Sequence, residues 1–286
     1  IGTERFNNLS PVSYALTKAD KQRLPWVLML QGDRVRLYNT KNIGVGRRGR
    51  TETYIECQTS LISSNDSSLL WLLFSSEALR ENGTINSILE ESKRFAAGIA
   101  EQLRERIYEI VVPQLAMGIA KSRNLDAPSK DEIALTYEMA LIVLFRLLFI
   151  AYAEDRDLLP YNGNEAYRKR SLKQKAIELG KVASESIPIS AGNHHWIETV
   201  QLWQAVSLGN QEWGVPAYDG TIFSNDPSVS PAGAQLSSID LPNALFEEAL
   251  KGLLLTKVED GFYAPIDFRA LSVREFGTIY EGLLES

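Results

Sequence analysis

Six basic side chains, Arg34, Arg36, Lys41, Arg47, Arg48 and Arg50, crowd residues 31–50 against one acid, Asp33, for a local charge of +5. A second run, Arg168, Lys169, Arg170, Lys173, Lys175 and Lys181, faces only Glu165 and Glu178 over residues 165–181, a local charge of +4. The chain carries -6 in all, so the remainder carries -15. Positive charge is segregated, not dispersed. Such patches suit a phosphate backbone, because each neutralised phosphate releases counterions. Solvated surface is the alternative for any charge run. The nucleic-acid-contact candidates are Arg34, Arg36, Lys41, Arg47, Arg48 and Arg50, with Arg168, Lys169, Arg170 and Lys173 on a helix.

Other chemistry is thin. Gly44, Gly46 and Gly49, within Lys41 to Arg50 (KNIGVGRRGR), have the spacing of a dinucleotide fingerprint. That fingerprint works between a strand and a helix, and here it separates two strand patterns. No G-x-x-x-x-G-K-[ST] loop and no G-x-S-x-G elbow occurs. His194 and His195 are adjacent, so on a helix they point about 100° apart and read as a helix-start pair, not two ligands of one metal. Asp33, Glu56 and Gln58 would fit a Mg²⁺-dependent nuclease only if two or three acidic oxygens converged. Otherwise Glu56 lies on an exposed strand face. Trp196, Trp203 and Trp213 have no interleaved basic residues and read as core. No catalytic, cofactor-binding or metal-ligating residue is assigned.

The elements that position these residues follow from periodicity. The first sixty residues read as β. Trp26–Leu30, Arg34–Tyr38 and Thr51–Cys57 form three strands, with turn chemistry at Gln31-Gly32-Asp33. After Asp66 the chain reads as helical. Leu69–Leu79 is apolar. Thr84 to about Lys121 is amphipathic through Ile88, Phe95, Ile99, Leu103, Ile107 and Ile110, with Pro113 expected to kink or end it near Val112. Ser129 and Glu132 form a capping box that opens a helix running to about Asp157. Its Met139–Ala153 stretch is apolar nearly all round. At 15 residues with Arg146 inside, it is a core helix and not a span, which needs about 20 apolar residues.

That helix ends in Glu154-Asp155-Arg156-Asp157, and acids at a helix C-terminus oppose its dipole. Arg156 or Arg146 is the simplest compensating partner. Further helices are expected at Glu165–Lys181, Trp196–Leu208 and Pro242–Leu255. Val215–Gln235 reads as an ordered loop or linker. Tyr218 and Phe223 would pin it to the core. Ser272 and Glu275 give a second capping box.

At 286 residues, 44% hydrophobic and 23% charged, the chain has the length and composition of a globular protein of about two domains. The fold class is α+β, mostly α: a β-containing portion at residues 1–64, then a helical domain at 65–286. The single Cys57 excludes a disulfide framework and a Cys-based zinc site, and fits a reducing, cytoplasmic setting. The start at Ile1, without Met, and the end inside a helical pattern are expected of a piece of a longer protein.

Three strings occur in order: Phe145–Pro160 (FRLLFIAYAEDRDLLP), Val215–Phe223 (VPAYDGTIF) and Leu271–Glu285 (LSVREFGTIYEGLLE). Together they resemble the large fused restriction–modification proteins, in which an endonuclease region and an N6-adenine DNA methyltransferase share one polypeptide (the type IIG group). The related methyltransferases of BREX and DISARM phage-defence systems are similar. Trp26–Tyr38 (WVLMLQGDRVRLY) also resembles the strand pair late in their nuclease-like domain. The resemblance implies that residues 1–64 end a nuclease-like domain and that 65–286 form a helical connector leading into a methyltransferase domain. It implies double-stranded DNA as partner, and S-adenosylmethionine and Mg²⁺ as the parent's cofactors. It marks Glu154, Asp155, Arg156, Tyr218, Asp219, Gly220, Arg274, Glu275, Tyr280 and Glu281 as structural motif residues. No N-P-P occurs, and Glu4, Asp20 and Lys21 form no nuclease set. A helical protein-interaction scaffold without DNA contact is the rival expectation.

Overall fold

The computed structural model describes residues 6–41, 50–51, 53–63, 67–185, 187–188, 191–218, 220–257, 262–271 and 273–284. The fold is α+β and mostly α, divided into two compact units: residues 1–98 with 272–278, and residues 99–271 with 279–286.

In the first unit, β1 (Trp26–Gln31), β2 (Arg34–Asn39) and β3 (Tyr54–Gln58) form an antiparallel sheet in the order β1-β2-β3. Gly32, at φ 60, turns β1 into β2. That left-handed conformation is open to Gly without strain, and a two-residue hairpin needs it. Register sets Leu28, Leu37 and Ile55 side by side, and Met29, Arg36 and Glu56 on the opposite face. The expectation that the first sixty residues are all β is corrected by α1 (Pro11–Lys21), which packs on β1. Ser10 caps it through Ser13 N, Pro11 opens it, and Leu16 and Ala19 are its buried face. With so few apolar positions, its 3.6-residue period is faint. The apolar 69–79 stretch is two helices, α2 (Ser67–Phe74) and α3 (Ser76–Leu79), because Ser75 caps the second through Ala78 N.

In the second unit, α4 (Thr84–Arg106, within this unit from Ile99) passes through a π turn at Ile107–Val111 into α5 (Val112–Ser122). Pro113 thus neither ends nor breaks the helical run. The Val112 N–H bonds to the Ile107 carbonyl five residues back, and this wider turn accommodates the proline just beyond it.

The centre is α6 (Lys130–Asp155). Its Ser129/Glu132 capping box is present in both directions. Ser129→Ala is expected to cost about 1 kcal/mol, read as a lower urea midpoint; an unchanged midpoint would contradict the cap. Residues Met139, Val143, Leu144, Leu147 and Ile150 are completely buried. Among the described residues α6 is the one helix long and apolar enough to cross a membrane, and its apolar stretch is mostly buried within the fold.

Glu165–Lys181 is not one helix but two, α7 (Glu165–Arg168) and α8 (Leu172–Ser184), since Asn164 and Ser171 each cap a separate start. α9 (His194–Leu208), α10 (Pro231–Gln235) and α11 (Asn243–Leu254) follow. The 215–235 segment, expected as an ordered loop or linker, carries local structure: Val215 bridges to Asn210, and Thr221–Phe223 is a 3-10 turn before α10. α11 runs directly into an unanticipated two-stranded sheet, β4 (Leu255–Lys257) with β5 (Tyr263–Pro265). Three-residue strands leave no readable alternation. α12 (Val273–Leu284) closes the chain; the Ser272 end of its expected capping box lies outside the described residues.

Candidate nucleic-acid interface

The second basic run is hung from the end of α6. The last turn of that helix carries Glu154, 1% exposed, and Asp155, 7% exposed. Glu154 Oε1 accepts from the Tyr167 hydroxyl at 2.8 Å and from Leu172 N at 3.0 Å, and Oε2 accepts from Lys173 N at 2.8 Å. Leu172 and Lys173 are the first two residues of α8, whose N–H groups have no partner within the helix. Ser171 Oγ takes the next, from Gln174. One buried carboxylate and one serine therefore satisfy the start of α8. The same carboxylate lies at the positive end of that helix's dipole, which offsets its poor position at the negative end of α6.

Asp155 accepts from Lys173 Nζ at 2.6 Å and Phe268 N at 2.7 Å. The expectation that Arg156 or Arg146 would compensate these acids is corrected. Arg156 donates to the Arg269 and Leu271 carbonyls, and Arg146 to the Ile222 and Ser224 carbonyls. The compensation comes instead from the start of α8 and from Lys173.

Burial pushes the Glu154 carboxyl up to about 7, against the pull of its three donors. Burial also pushes the Tyr167 hydroxyl up, so it remains a donor. A raised carboxyl favours the fold when protonated. That contribution is complete below about 4.5 and is lost as pH rises through about 7, on the order of 3 kcal/mol. The stability difference between wild type and Glu154→Gln should therefore shift against wild type as pH rises from 4.5 to 7.5. A pH-independent difference in urea unfolding would contradict this.

At the α7–α8 turn, Arg168, Lys169 and Arg170 are all exposed. Arg168 donates to the Tyr161 and Asn162 carbonyls and lies over the Tyr161 ring. Arg170 donates to the Ala166 carbonyl and lies over Trp213. Lys169 pairs with Glu165, and Lys173 with Asp155. Among the described residues, Arg168 and Arg170 have no carboxylate partner. Arg168 is held by two carbonyls and a ring and Arg170 by one carbonyl and a ring, each without a direct ion pair. Arg168 and Lys169 also border a polar hollow with Asn162 and Gln174. Tyr167, which anchors this turn, and Trp213, which contacts Arg170, were not singled out for these roles by sequence; the basic run itself and the acids at the end of an apolar helix were the signals that pointed here.

The first basic run is more internally engaged. Arg36 Nε bonds Glu56 Oε2 at 2.5 Å, with Arg34 3.8 Å from the same carboxylate. Arg50 pairs with Asp20 at 3.1 Å and donates to the Thr40 carbonyl. Lys41 is exposed. Arg47, Arg48 and the glycine spacing at 44–49 lie outside the described residues. The nuclease arrangement does not assemble: Glu56 is held by Arg36, and Asp33 accepts from Gln58 Nε2 and Ser60 Oγ. Among the described residues, no three His, Cys, Asp or Glu side chains gather to hold a metal.

The histidines point to different partners. His194 Nδ1 meets Asn243 Nδ2 at 2.7 Å, and His195 Nδ1 meets Lys175 Nζ at 3.2 Å. Trp196 and Trp203 are core, packed edge to face at 5.3 Å.

The three ordered strings meet on α6. The Tyr218 hydroxyl donates to the Leu158 carbonyl at 2.6 Å, and Phe149 packs edge to face on Tyr218 and Phe223. Gly220 leads into the 3-10 turn held by Arg146. Arg156 reaches the Leu271 carbonyl, and the Tyr137 hydroxyl the Leu283 carbonyl. Glu275 is half-buried and Glu281 exposed. Asp219 and the side chains of Arg274 and Tyr280 lie outside the described residues. No protein-family model matches the chain, and neither a curated protein nor a solved structure matches it.

Proposed function

We propose that the chain is a non-catalytic N-terminal and connector segment of a cytoplasmic DNA restriction–modification enzyme. The parent would be an S-adenosylmethionine-dependent adenine-N6 DNA methyltransferase, with or without endonuclease activity, that flips its target base from the duplex. This segment would link domains and supply part of a basic DNA-facing surface. The observation that carries the DNA half is the pair Arg168 and Arg170: exposed, held by carbonyl and ring contacts, and without a direct carboxylate partner among the described residues. The ordered strings and their convergence on α6 support the family half. The methyl donor and Mg²⁺ are assigned to the rest of the parent.

The experiment is binding of the chain to a labelled duplex at two salt concentrations. Neutralising about three phosphates predicts roughly 40-fold weaker binding at 200 mM than at 50 mM salt. Absence of binding at 50 mM would contradict the reading.

The exposed apolar side chains Leu69, Trp71 and Leu72 on α2 favour the rival, a helical interaction scaffold without DNA contact. A scaffold would bind no duplex at either salt.

A further inference from the structure

A groove of about 630 Å³ runs along α9, between Trp203, Gln204 and Ser207 on one wall and Phe223, Ser224 and Asn225 on the other. Its volume is that of a small-molecule site. Arg146 of α6 lines it and is 3% exposed. The guanidinium lies 5.2 Å from the Trp203 ring centre and 5.9 Å from that of Phe223. Its Nε donates to the Ile222 carbonyl at 2.8 Å, and Nη2 to the Ser224 carbonyl at 3.1 Å and to Asn225 Oδ1 at 3.4 Å.

Every one of these partners is neutral. Among the described residues no carboxylate pairs with Arg146. Asp226 also lines the groove, but its carboxylate accepts from Ser228 N and Oγ. Buried charges are ordinarily paired, because desolvating one alone is costly. Here burial holds the guanidinium down to about 10. The indole N–H of Trp203 is buried too, with no partner. Val200, Leu208 and Val229 give the same groove an apolar lining.

We propose that this groove binds a small organic anion, a carboxylate or phosphate on an apolar body, with Arg146 as its counter-charge. A guanidinium fixed by carbonyls and aromatic faces is pre-organised for an oxyanion. The aromatic and aliphatic walls take the body. The site uses neither α7 nor α8, so it stands apart from the DNA reading.

Calorimetric titration of the chain with benzoate, benzamide and phenyl phosphate tests it. Benzoate and benzamide share a ring and differ in charge. Benzoate or phenyl phosphate is expected to bind at least about 10-fold tighter than benzamide, as a charge-paired ligand should. Whichever of the two binds tighter identifies the oxyanion. Asn225→Asp sets a carboxylate beside Nη2, and should raise the thermal midpoint while weakening anion binding at least about 10-fold. Equal binding of benzoate, phenyl phosphate and benzamide, or no binding of either anion, would overturn the proposal. So would a folded Asn225→Asp variant with undiminished anion affinity.

Discussion

Glu154→Ala is expected to lower the unfolding free energy by about 4 kcal/mol at pH 6, the largest loss among the substitutions considered. The side chain accepts three hydrogen bonds, from Tyr167 Oη, Leu172 N and Lys173 N, and is 1% exposed. Truncation leaves all three donors buried without an acceptor, at about 1–3 kcal/mol each before water or rearrangement relieves part of it. Glu154→Gln should cost less: its oxygen still serves Tyr167 and Leu172, and its amide stands where the mostly protonated carboxyl already carries its proton. Thermal unfolding reads both, as a fall of roughly 8–16 °C for the alanine variant. A loss below about 1 kcal/mol would mean that α8 is held by packing alone.

The second large effect belongs to the α7–α8 turn. Arg168→Ala together with Arg170→Ala should weaken duplex binding by about 10-fold and flatten the salt dependence by nearly two phosphates' worth. Both side chains are exposed, so the thermal midpoint should hardly move. Lys169 is the internal control. It already spends its charge on Glu165 at 2.8 Å, so Lys169→Ala should change binding less than either arginine substitution. Equal effects from all three would point to net charge rather than to aimed guanidinia. Arg47→Ala with Arg48→Ala probes the first basic run in the same assay.

Much of the fold was legible because its strongest signals are local. The first strand is a short apolar run before a turn, the next two alternate, the α6 capping box lies in four residues, and an apolar run as long as 139–153 needs a core around it. The misses share a cause. α1 has few apolar positions, β4 and β5 are three residues each, and the split between α7 and α8 rests on Ser171 acting as a cap inside a helical pattern. At the site, composition singled out the basic runs but not which members keep their charge. Arg36 and Lys173 lose theirs to Glu56 and Asp155, partners 20 and 18 residues away. Pairing at that distance is set by tertiary packing, which no local window contains. The partner of Glu154 was misassigned for the same reason: the nearest cations in sequence, Arg146 and Arg156, are drawn to carbonyls of distant turns.

On the proposed function, this chain links domains and supplies part of a DNA-facing surface, and methyl transfer is carried out by the rest of the parent. Labelled S-adenosylmethionine is incubated with plasmid DNA and either the parent protein or this chain alone. Label on adenine N6 with the parent and none with the chain is the predicted result. Label with neither would contradict it.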